Sequence, residues 1–266
     1  MNSLLQLDQP HSQEGSCPSG GRIPLSKRVL DICLVLVSLP LLVPVAVVIG
    51  LFIRIVSPGP ILFKQERVGF LGKRFLCFKF RTMSVGADTS VHQGHLKRLI
   101  HSNAPMVKMD AHGDPRVIPL GSLLRSSGLD ELPQVINVLK GEMSLVGPRP
   151  CLPYEFEAYL PWQRERFNTL SGLTGLWQVS GKNRTTFVEM IRLDIDYVRN
   201  RTLRLDIEII FRTFPALFTQ MNDARKRRKS FASTAQTPAV VPAQSSKHHP
   251  EAKPGLTAVS DARRDA

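Results

Sequence analysis

Two adjacent carboxylates and one nearby arginine are the residues of this chain best suited to chemistry. Asp130 and Glu131 follow Arg125 by five and six residues and come just before a helix predicted to start near Pro133. Free backbone N–H groups and the helix dipole at such a start favour a carboxylate or a phosphate. Because an arginine is available at the same point, the spacing indicates phosphoryl chemistry. An acidic helix cap without a catalytic role is the alternative.

Arg149 is a second candidate for binding phosphate. Pro148 and Pro150 enclose it and restrict the local backbone to a rigid, extended conformation. A single arginine held in this way suits bidentate phosphate recognition, although a surface arginine in a structural turn has the same pattern. The predicted helix from Pro133 is short, so it should return the chain close to Asp130.

Two further cations lie near the end of a predicted β-hairpin. Residues 61–65 and 74–80 are expected to form two short strands joined by a glycine-containing loop. Lys79 and Arg81 occupy alternate positions of the second strand and therefore share one face. That face could meet a diphosphate or solvent, and the pattern alone leaves both open.

An apolar segment near the N-terminus indicates that these candidate residues lie close to a membrane. Residues 29–53 are strongly apolar, and about 20 such residues suffice to cross a bilayer as a helix. Lys27 and Arg28 precede the segment and Arg54 follows it, so the flanking charges define no inside and outside.

The prolines within the segment argue against a simple span. Pro40 and Pro44 should bend the helix, and Ser38 is available to bond a carbonyl that the bend frees. Asp31 lies near one end, where an interfacial position costs least. Physical chemistry alone leaves a spanning helix and a re-entrant helix open.

Two later regions are predicted to contain amphipathic helices, residues 154–170 and residues 186–220. Aromatic and aliphatic side chains alternate there with arginine, which fits helices lying on a membrane surface and fits core packing equally well. These apolar side chains are Trp162, Phe167, Phe211, Phe214, Leu217 and Phe218.

The composition indicates a basic protein surface and two polar chain termini. The 266-residue chain has a formal net charge of +13, and residues 1–25 and 221–266 have compositions typical of disorder. A basic balance suits nucleic acid, an anionic membrane face or a phosphorylated substrate. No platform of aromatic and basic residues typical of nucleic-acid binding is visible. The basic tail could bind anionic lipid or simply be solvated.

Cysteine and histidine spacing predicts neither a disulfide framework nor a zinc site, which fits a reducing compartment. The histidines of a predicted helix over residues 86–102 have no acidic or cysteine partners and are interpreted as surface residues. The residues concerned are Cys17, Cys33, Cys77, Cys151, His92, His95 and His101.

Five motifs, in order, resemble the bacterial sugar transferase family. They are SPGPILFKQERVG, KFRTM, DPRV, LDELPQVINVLKGEMSLVGPRP and GLTGLWQVSGKN, within a stretch from about Lys27 to Phe218. Members are small monotopic phosphoglycosyl transferases that initiate polysaccharide assembly. The resemblance implies a mainly helical α+β fold with a small β-hairpin and amphipathic helices at the membrane interface. It also implies a re-entrant membrane helix over residues 26–54, broken at Pro44, and a catalytic domain over residues 55–220.

The resemblance also implies a reaction on the cytoplasmic face of the bacterial inner membrane. Sugar-1-phosphate would pass from a UDP-sugar to undecaprenyl phosphate, with release of UMP, as the first membrane step of exopolysaccharide biosynthesis. Asp130 would be the nucleophile and would hold Mg²⁺ with the donor diphosphate. Glu131 would position or deprotonate the acceptor, and Arg125 and Arg149 would bind phosphates. A homo-oligomer is left open, and nucleic acid is not expected as a partner.

Three positions depart from the pattern of the family. Val43 replaces a serine before the break proline, Ser171 replaces a proline, and Lys182 replaces an arginine. The last two are expected not to touch the pair of Asp130 and Glu131.

Two other functions compete with this one. A glycosyltransferase that passes only the sugar would release UDP, and its acidic pair would bind a metal. A membrane-anchored binding protein without catalysis would tolerate loss of the Asp130 carboxylate.

Overall fold

The computed structural model describes residues 22–84, 116–182 and 185–235. The predicted histidine-bearing helix, most of the predicted N-terminal tail and the part of the chain after residue 235 lie outside these residues. Within them, one long apolar helix and two small sheets are combined with several shorter helices. The prediction of a mainly helical α+β protein is therefore confirmed.

The described elements follow one another in a simple order. They are α1 (Leu25–Val56), β1 (Leu62–Val68), a 3-10 turn (Phe70–Gly72), β2 (Arg74–Phe80), α2 (Gly121–Ser127), a 3-10 helix (Leu129–Gln134), α3 (Val135–Lys140), β3 (Met143–Val146), α4 (Pro153–Ala158), a 3-10 helix (Pro161–Phe167), β4 (Ser171–Thr174), α5 (Leu176–Val179), α6 (Phe187–Asn200) and α7 (Leu203–Ala235).

The predicted hairpin is confirmed. Strands β1 and β2 are antiparallel and pair Leu62 with Phe80 and Val68 with Arg74. Strand β1 continues three residues beyond the predicted end at Gln65. The apolar run of residues 61–63 is followed by four polar residues, so the sequence carries no apolar signal for this continuation.

Lys27 anchors the first turn of α1 to the rest of the protein. Its ammonium group is buried and donates hydrogen bonds to the Val146 carbonyl (3.0 Å), the Tyr197 hydroxyl (3.1 Å) and Asp206 Oδ2 (2.8 Å). The Tyr197 hydroxyl also donates to Asp206 Oδ1 at 2.6 Å. Because a buried charge is costly unless it is paired, this network fixes the start of α1 against β3 and α7.

Two more side chains of α1 bond the same strand. Arg28 donates to the Met143 carbonyl (3.3 Å), and the Leu145 N–H donates to Asp31 Oδ1 (3.1 Å). Strand β4 pairs in parallel with β3, so β3 is held both by β4 and by these side chains of α1. Asp31 is buried within the protein, where the Leu145 N–H bonds one of its two carboxylate oxygens. Its interfacial position in a membrane stays a prediction.

The C-terminal part of α1 packs on the same body as its start. Ile49 and Ile53 are buried in one cluster with Phe80, Ile118 and Leu124. Between the two ends, the helix exposes apolar side chains, namely Leu36, Val37, Leu41, Val43, Val47 and Val48. Among the described residues, α1 is the one helix long and apolar enough to cross a membrane. Its exposed apolar surface indicates association with a membrane.

The two prolines lie within the helical span of α1. The Ser38 hydroxyl donates to the Val35 carbonyl at 2.8 Å. Pro40 has no N–H to bond the Leu36 carbonyl, so that carbonyl is freed. Ser38 therefore bonds the carbonyl of the residue before Leu36 and not the freed carbonyl itself.

The later helices divide the predicted aromatic side chains between core and surface. Phe167 is buried, whereas Phe211, Phe214 and Phe218 of α7 are more than half exposed. Helix α7 continues to Ala235, beyond the predicted domain boundary at residue 220. Alanine, lysine and arginine in this stretch are good helix formers, so the helix continues through sequence interpreted as a disordered tail.

Candidate active site

The acidic pair lies in a 3-10 helix that leads directly into α3. Gly128 has a φ of +76°, which suits glycine, and its carbonyl accepts a hydrogen bond from the Glu131 N–H at 3.0 Å. Pro133 cannot donate to the Leu129 carbonyl, so an α-helical first turn is disfavoured there. Asp130 is buried and Glu131 is partly exposed. The predicted position of the pair at the start of a helix is correct, although that start is a 3-10 turn.

Asn137 holds this helical segment against β2. Its side chain is fully buried, accepts from the Phe78 N–H at 3.1 Å and donates to the Leu76 carbonyl at 2.7 Å. The amide thus bonds the edge of β2 as a neighbouring strand would. This contact places Glu131 beside the side chain of Lys79.

Lys79 and Glu131 form an ion pair, with 2.8 Å between Nζ and Oε1. Burial would raise the pKa of Glu131, but the charges of Lys79, Arg149 and Lys182 and the hydrogen bond from Lys79 hold this pKa well below its usual range. Glu131 is therefore ionised at neutral pH.

A recess of about 270 Å³, counting space open to solvent, adjoins this ion pair. Three cationic side chains and one carboxylate line it, which favours an anionic ligand. The lining residues are Arg67, Cys77, Lys79, Glu131, Gln134, Arg149, Pro150, Gly172, Leu173 and Gln178.

Close backbone packing fixes the loop that carries Arg149. The Gly147 N–H donates to the Thr174 carbonyl and the Gly172 N–H donates to the Pro148 carbonyl, both at 2.9 Å. A Cβ atom at Gly147 or Gly172 would overlap the backbone of the other segment. The glycine-rich stretch that includes Gly172 therefore allows two chain segments to approach closely, which explains why it lacks the spacing of a dinucleotide-binding motif.

The structure brings three predicted site residues together, because Glu131, Lys79 and Arg149 line the recess. Asp130 precedes Glu131 in the same turn and is not among the lining residues. Arg125 lies in the last turn of α2, outside the lining of the recess.

Arg81 lies away from the recess. Its buried guanidinium donates to the Ser57 carbonyl (2.6 Å) and the Pro58 carbonyl (2.8 Å), just after α1. Arg81 follows the last residue of β2, so the alternation that placed it beside Lys79 no longer applies.

Sequence reasoning missed Arg67. This buried side chain lines the recess and donates to the Pro150 carbonyl (3.1 Å) and Gln65 Oε1 (2.6 Å). Residue 67 pairs with residue 75, and residue 65 pairs with residue 77, so Arg67 shares a face of the hairpin with Cys77. The register was the signal that could have revealed it.

Lys182 acts on Glu131 through its charge, which contributes to the low pKa of this carboxyl group. Gln178, from the same motif, lines the recess and donates to the Leu173 carbonyl at 2.9 Å.

The donor chemistry fits a magnesium ion held jointly with a substrate. No group of three histidine, cysteine or acidic side chains that could hold a metal occurs among the described residues. Mg²⁺ is commonly bound by one or two carboxylates together with substrate phosphates. Asp130 beside a cationic recess supplies such a carboxylate.

Comparison with known proteins gives the family of the chain. The sequence model described as bacterial sugar transferase matches residues 23–220, which is most of the chain. The chain belongs to the bacterial sugar transferase family. The matched region of this sugar transferase contains α1, the hairpin and every residue that lines the recess.

Curated proteins similar to this bacterial sugar transferase have related names. The exopolysaccharide production protein ExoY of Sinorhizobium fredii is 36% identical over 200 residues, 75% of this chain and 87% of that protein. A UDP-glucose:undecaprenyl-phosphate glucose-1-phosphate transferase of Caulobacter vibrioides is 38% identical over 226 residues, 80% and 79% of the two chains. An undecaprenyl-phosphate galactose phosphotransferase of Salmonella typhimurium is 38% identical over 195 residues, 70% and 39% of the two chains.

Proposed function

We propose that this bacterial sugar transferase moves sugar-1-phosphate from a UDP-sugar to undecaprenyl phosphate and so initiates exopolysaccharide synthesis. Two of the similar proteins are named for transfer of a sugar phosphate to undecaprenyl phosphate, and a third is named for exopolysaccharide production. The observation that carries the proposal is a cationic recess next to the pair of Asp130 and Glu131. A buried carboxylate beside cations suits covalent transfer of a phosphoryl group.

Asp130 acts as the nucleophile in two displacements. A carboxylate oxygen attacks the phosphorus next to the sugar, forming an aspartyl O–P bond while the bond to the UMP oxygen breaks. An oxygen of undecaprenyl phosphate then attacks the same phosphorus and releases the carboxylate. Each step exchanges one O–P bond for another, so one difficult transfer becomes two easier ones.

Cationic side chains offset the charge of the reacting phosphates. Lys79, Arg67 and Arg149 line the recess on different segments of the chain and surround the space in which a diphosphate would lie. Mg²⁺, held by Asp130 and the donor diphosphate, would supply further charge neutralisation.

Glu131 acts by position more than by removing a proton. Its low pKa makes it a weak base, and the second pKa of a phosphate monoester is about 6, so the acceptor is largely ionised at neutral pH. The Glu131 carboxylate keeps Lys79 directed at the recess and repels a wrongly placed acceptor phosphate.

Contacts at both ends of α1 support a re-entrant helix that returns at Pro44. Lys27 bonds Val146 near one end, and Ile53 packs on Phe80 near the other. A straight helix of 32 residues would be roughly 48 Å long, so a spanning α1 would place these contacts on opposite sides of the bilayer. One globular body cannot occupy both sides, whereas a re-entrant helix keeps both ends on the cytoplasmic face.

Helix α7 adds a second apolar surface for the membrane. Phe211, Phe214 and Phe218 recur at helical spacing and are exposed. A protein seated by α1 and α7 would hold the recess close to the phosphate of a lipid-linked acceptor.

This topology predicts the accessibility of both chain ends. In intact spheroplasts, protease should leave tags at the N-terminus and at the C-terminus uncut, and lysis should expose both. The C-terminal tag is the internal control for the cytoplasmic side. Cleavage of the N-terminal tag alone before lysis would contradict the re-entrant helix.

The nucleotide product tests the proposed reaction. Membranes containing the protein are incubated with undecaprenyl phosphate, Mg²⁺ and a panel of UDP-sugars, and the released nucleotide is identified. UMP is expected, and the donor that responds identifies the sugar. Release of UDP would instead establish transfer of the sugar alone.

A further inference from the structure

We infer that Arg166 and Asp194 form a buried positioning pair that holds Arg149 in the geometry needed for phosphate binding. The inference rests on the proposed function, because it assigns Arg149 to the donor or acceptor phosphate. Neither Arg166 nor Asp194 lines the recess, so both would act through Arg149.

Arg166 connects the Arg149 loop to two other segments. One terminal nitrogen of its guanidinium donates to the Arg149 carbonyl (2.9 Å) and to Asp194 Oδ2 (2.5 Å). The other terminal nitrogen donates to the Tyr159 hydroxyl at 2.7 Å. The side chains of Arg166 and Asp194 are 1% and 2% exposed, so solvent screens their interaction little.

A buried ion pair by itself is weak evidence that the pair stabilises the folded protein. Removing two charges from water has a large free-energy cost, and apolar side chains of similar volume often stabilise the fold as well as the ion pair or better. Here the pair also directs a guanidinium at one backbone carbonyl, that of Arg149. A positional role explains why a charged pair occupies this part of the core.

The backbone of the Arg149 loop is fixed from both sides. Arg166 bonds the Arg149 carbonyl, and Arg67 bonds the next carbonyl, that of Pro150. Pro148 and Pro150 restrict the φ angles on either side of Arg149. The Arg149 guanidinium itself donates no hydrogen bond to a described residue. A phosphate would therefore meet a guanidinium whose point of attachment is already ordered.

The size of the expected effect follows from the geometry of phosphoryl transfer. A displacement of about 1 Å in a group that contacts the reacting atoms can lower the rate about 100-fold. Arg166→Lys removes the fork that bonds three partners, and Asp194→Asn removes the charge that orients it. Each change is expected to lower kcat/KM for the UDP-sugar about 10- to 100-fold per folded molecule.

A double-mutant cycle with Arg149→Ala tests whether Arg166 acts through Arg149. If it does, Arg166→Lys should change kcat/KM less than about threefold once the Arg149 side chain is absent, because interacting residues are not additive. Asp194→Asn should behave in the same way, which provides a second variant if Arg166→Lys fails to fold. Equal losses in both backgrounds would overturn the inference and leave the pair a purely structural role.

Asp206→Asn is the matched control. Asp206 is 4% exposed and pairs with Lys27, so its loss should lower the thermal midpoint much as Asp194→Asn does. Its effect on kcat/KM should multiply with that of Arg149→Ala. If Arg149→Ala leaves activity unchanged, Arg149 binds no reacting phosphate and the positioning role is overturned. Release of UDP would instead overturn the proposed function.

Discussion

Replacing Asp130 by asparagine is expected to lower kcat about 10,000-fold or more. The amide keeps the shape of the side chain but cannot attack phosphorus, so the first displacement is lost. Asp130 is 9% exposed, and an isosteric side chain should preserve the fold and the attachment to the membrane. UMP release from purified, folded protein measures the effect, and a thermal midpoint checks the fold.

Asp196→Asn provides a control for this change. It alters the net charge equally but lies on the exposed side of α6, where Asp196 accepts from Asn200. Its activity should stay within about twofold of wild type. Asp130→Asn with near-wild-type turnover would contradict the nucleophile assignment and favour a binding protein or another mechanism.

Replacing Arg149 by alanine is expected to lower kcat/KM about 100- to 1,000-fold, as loss of one preorganised donor does in other transferases and hydrolases. The residue lies in a loop held by glycines and prolines, so its truncation should disturb little besides the recess. Arg149→Lys keeps the charge without the bidentate fork and should be intermediate. Steady-state kinetics with a UDP-sugar measure both variants.

Arg192→Ala is the control for Arg149→Ala, since Arg192 is exposed on α6. It removes the same charge outside the lining of the recess and should leave kcat/KM unchanged. Equal activity of Arg149→Ala and Arg192→Ala would remove Arg149 from the site.

The local elements of the site could be predicted from the sequence because they depend on short-range chemistry. Two short runs rich in apolar residues on either side of a glycine-containing loop predicted the hairpin, and Pro133 predicted the position of the helix that follows the acidic pair. Two prolines around Arg149 predicted a rigid loop. The family motifs then placed these pieces in one site.

Buried cations were harder to predict because their partners are distant in the sequence. Arg67 bonds a carbonyl 83 residues away, and Lys27 bonds one 119 residues away. Lysine and arginine side chains are mostly exposed to solvent, so nothing in the neighbouring sequence distinguished Arg67 from a surface residue. Arg81 was misplaced for the same reason, since backbone carbonyls of another segment compensate its burial.

Incubation of the protein with the donor alone tests directly whether Asp130 forms a covalent intermediate. Purified protein is mixed with Mg²⁺ and the responding UDP-sugar in the absence of undecaprenyl phosphate, quenched in acid and examined by mass spectrometry. A burst of UMP close to one equivalent per protein is expected, with one sugar phosphate attached at Asp130 and none in Asp130→Asn. UMP that appears only after the acceptor is added, with no labelled protein, would contradict the two-step account.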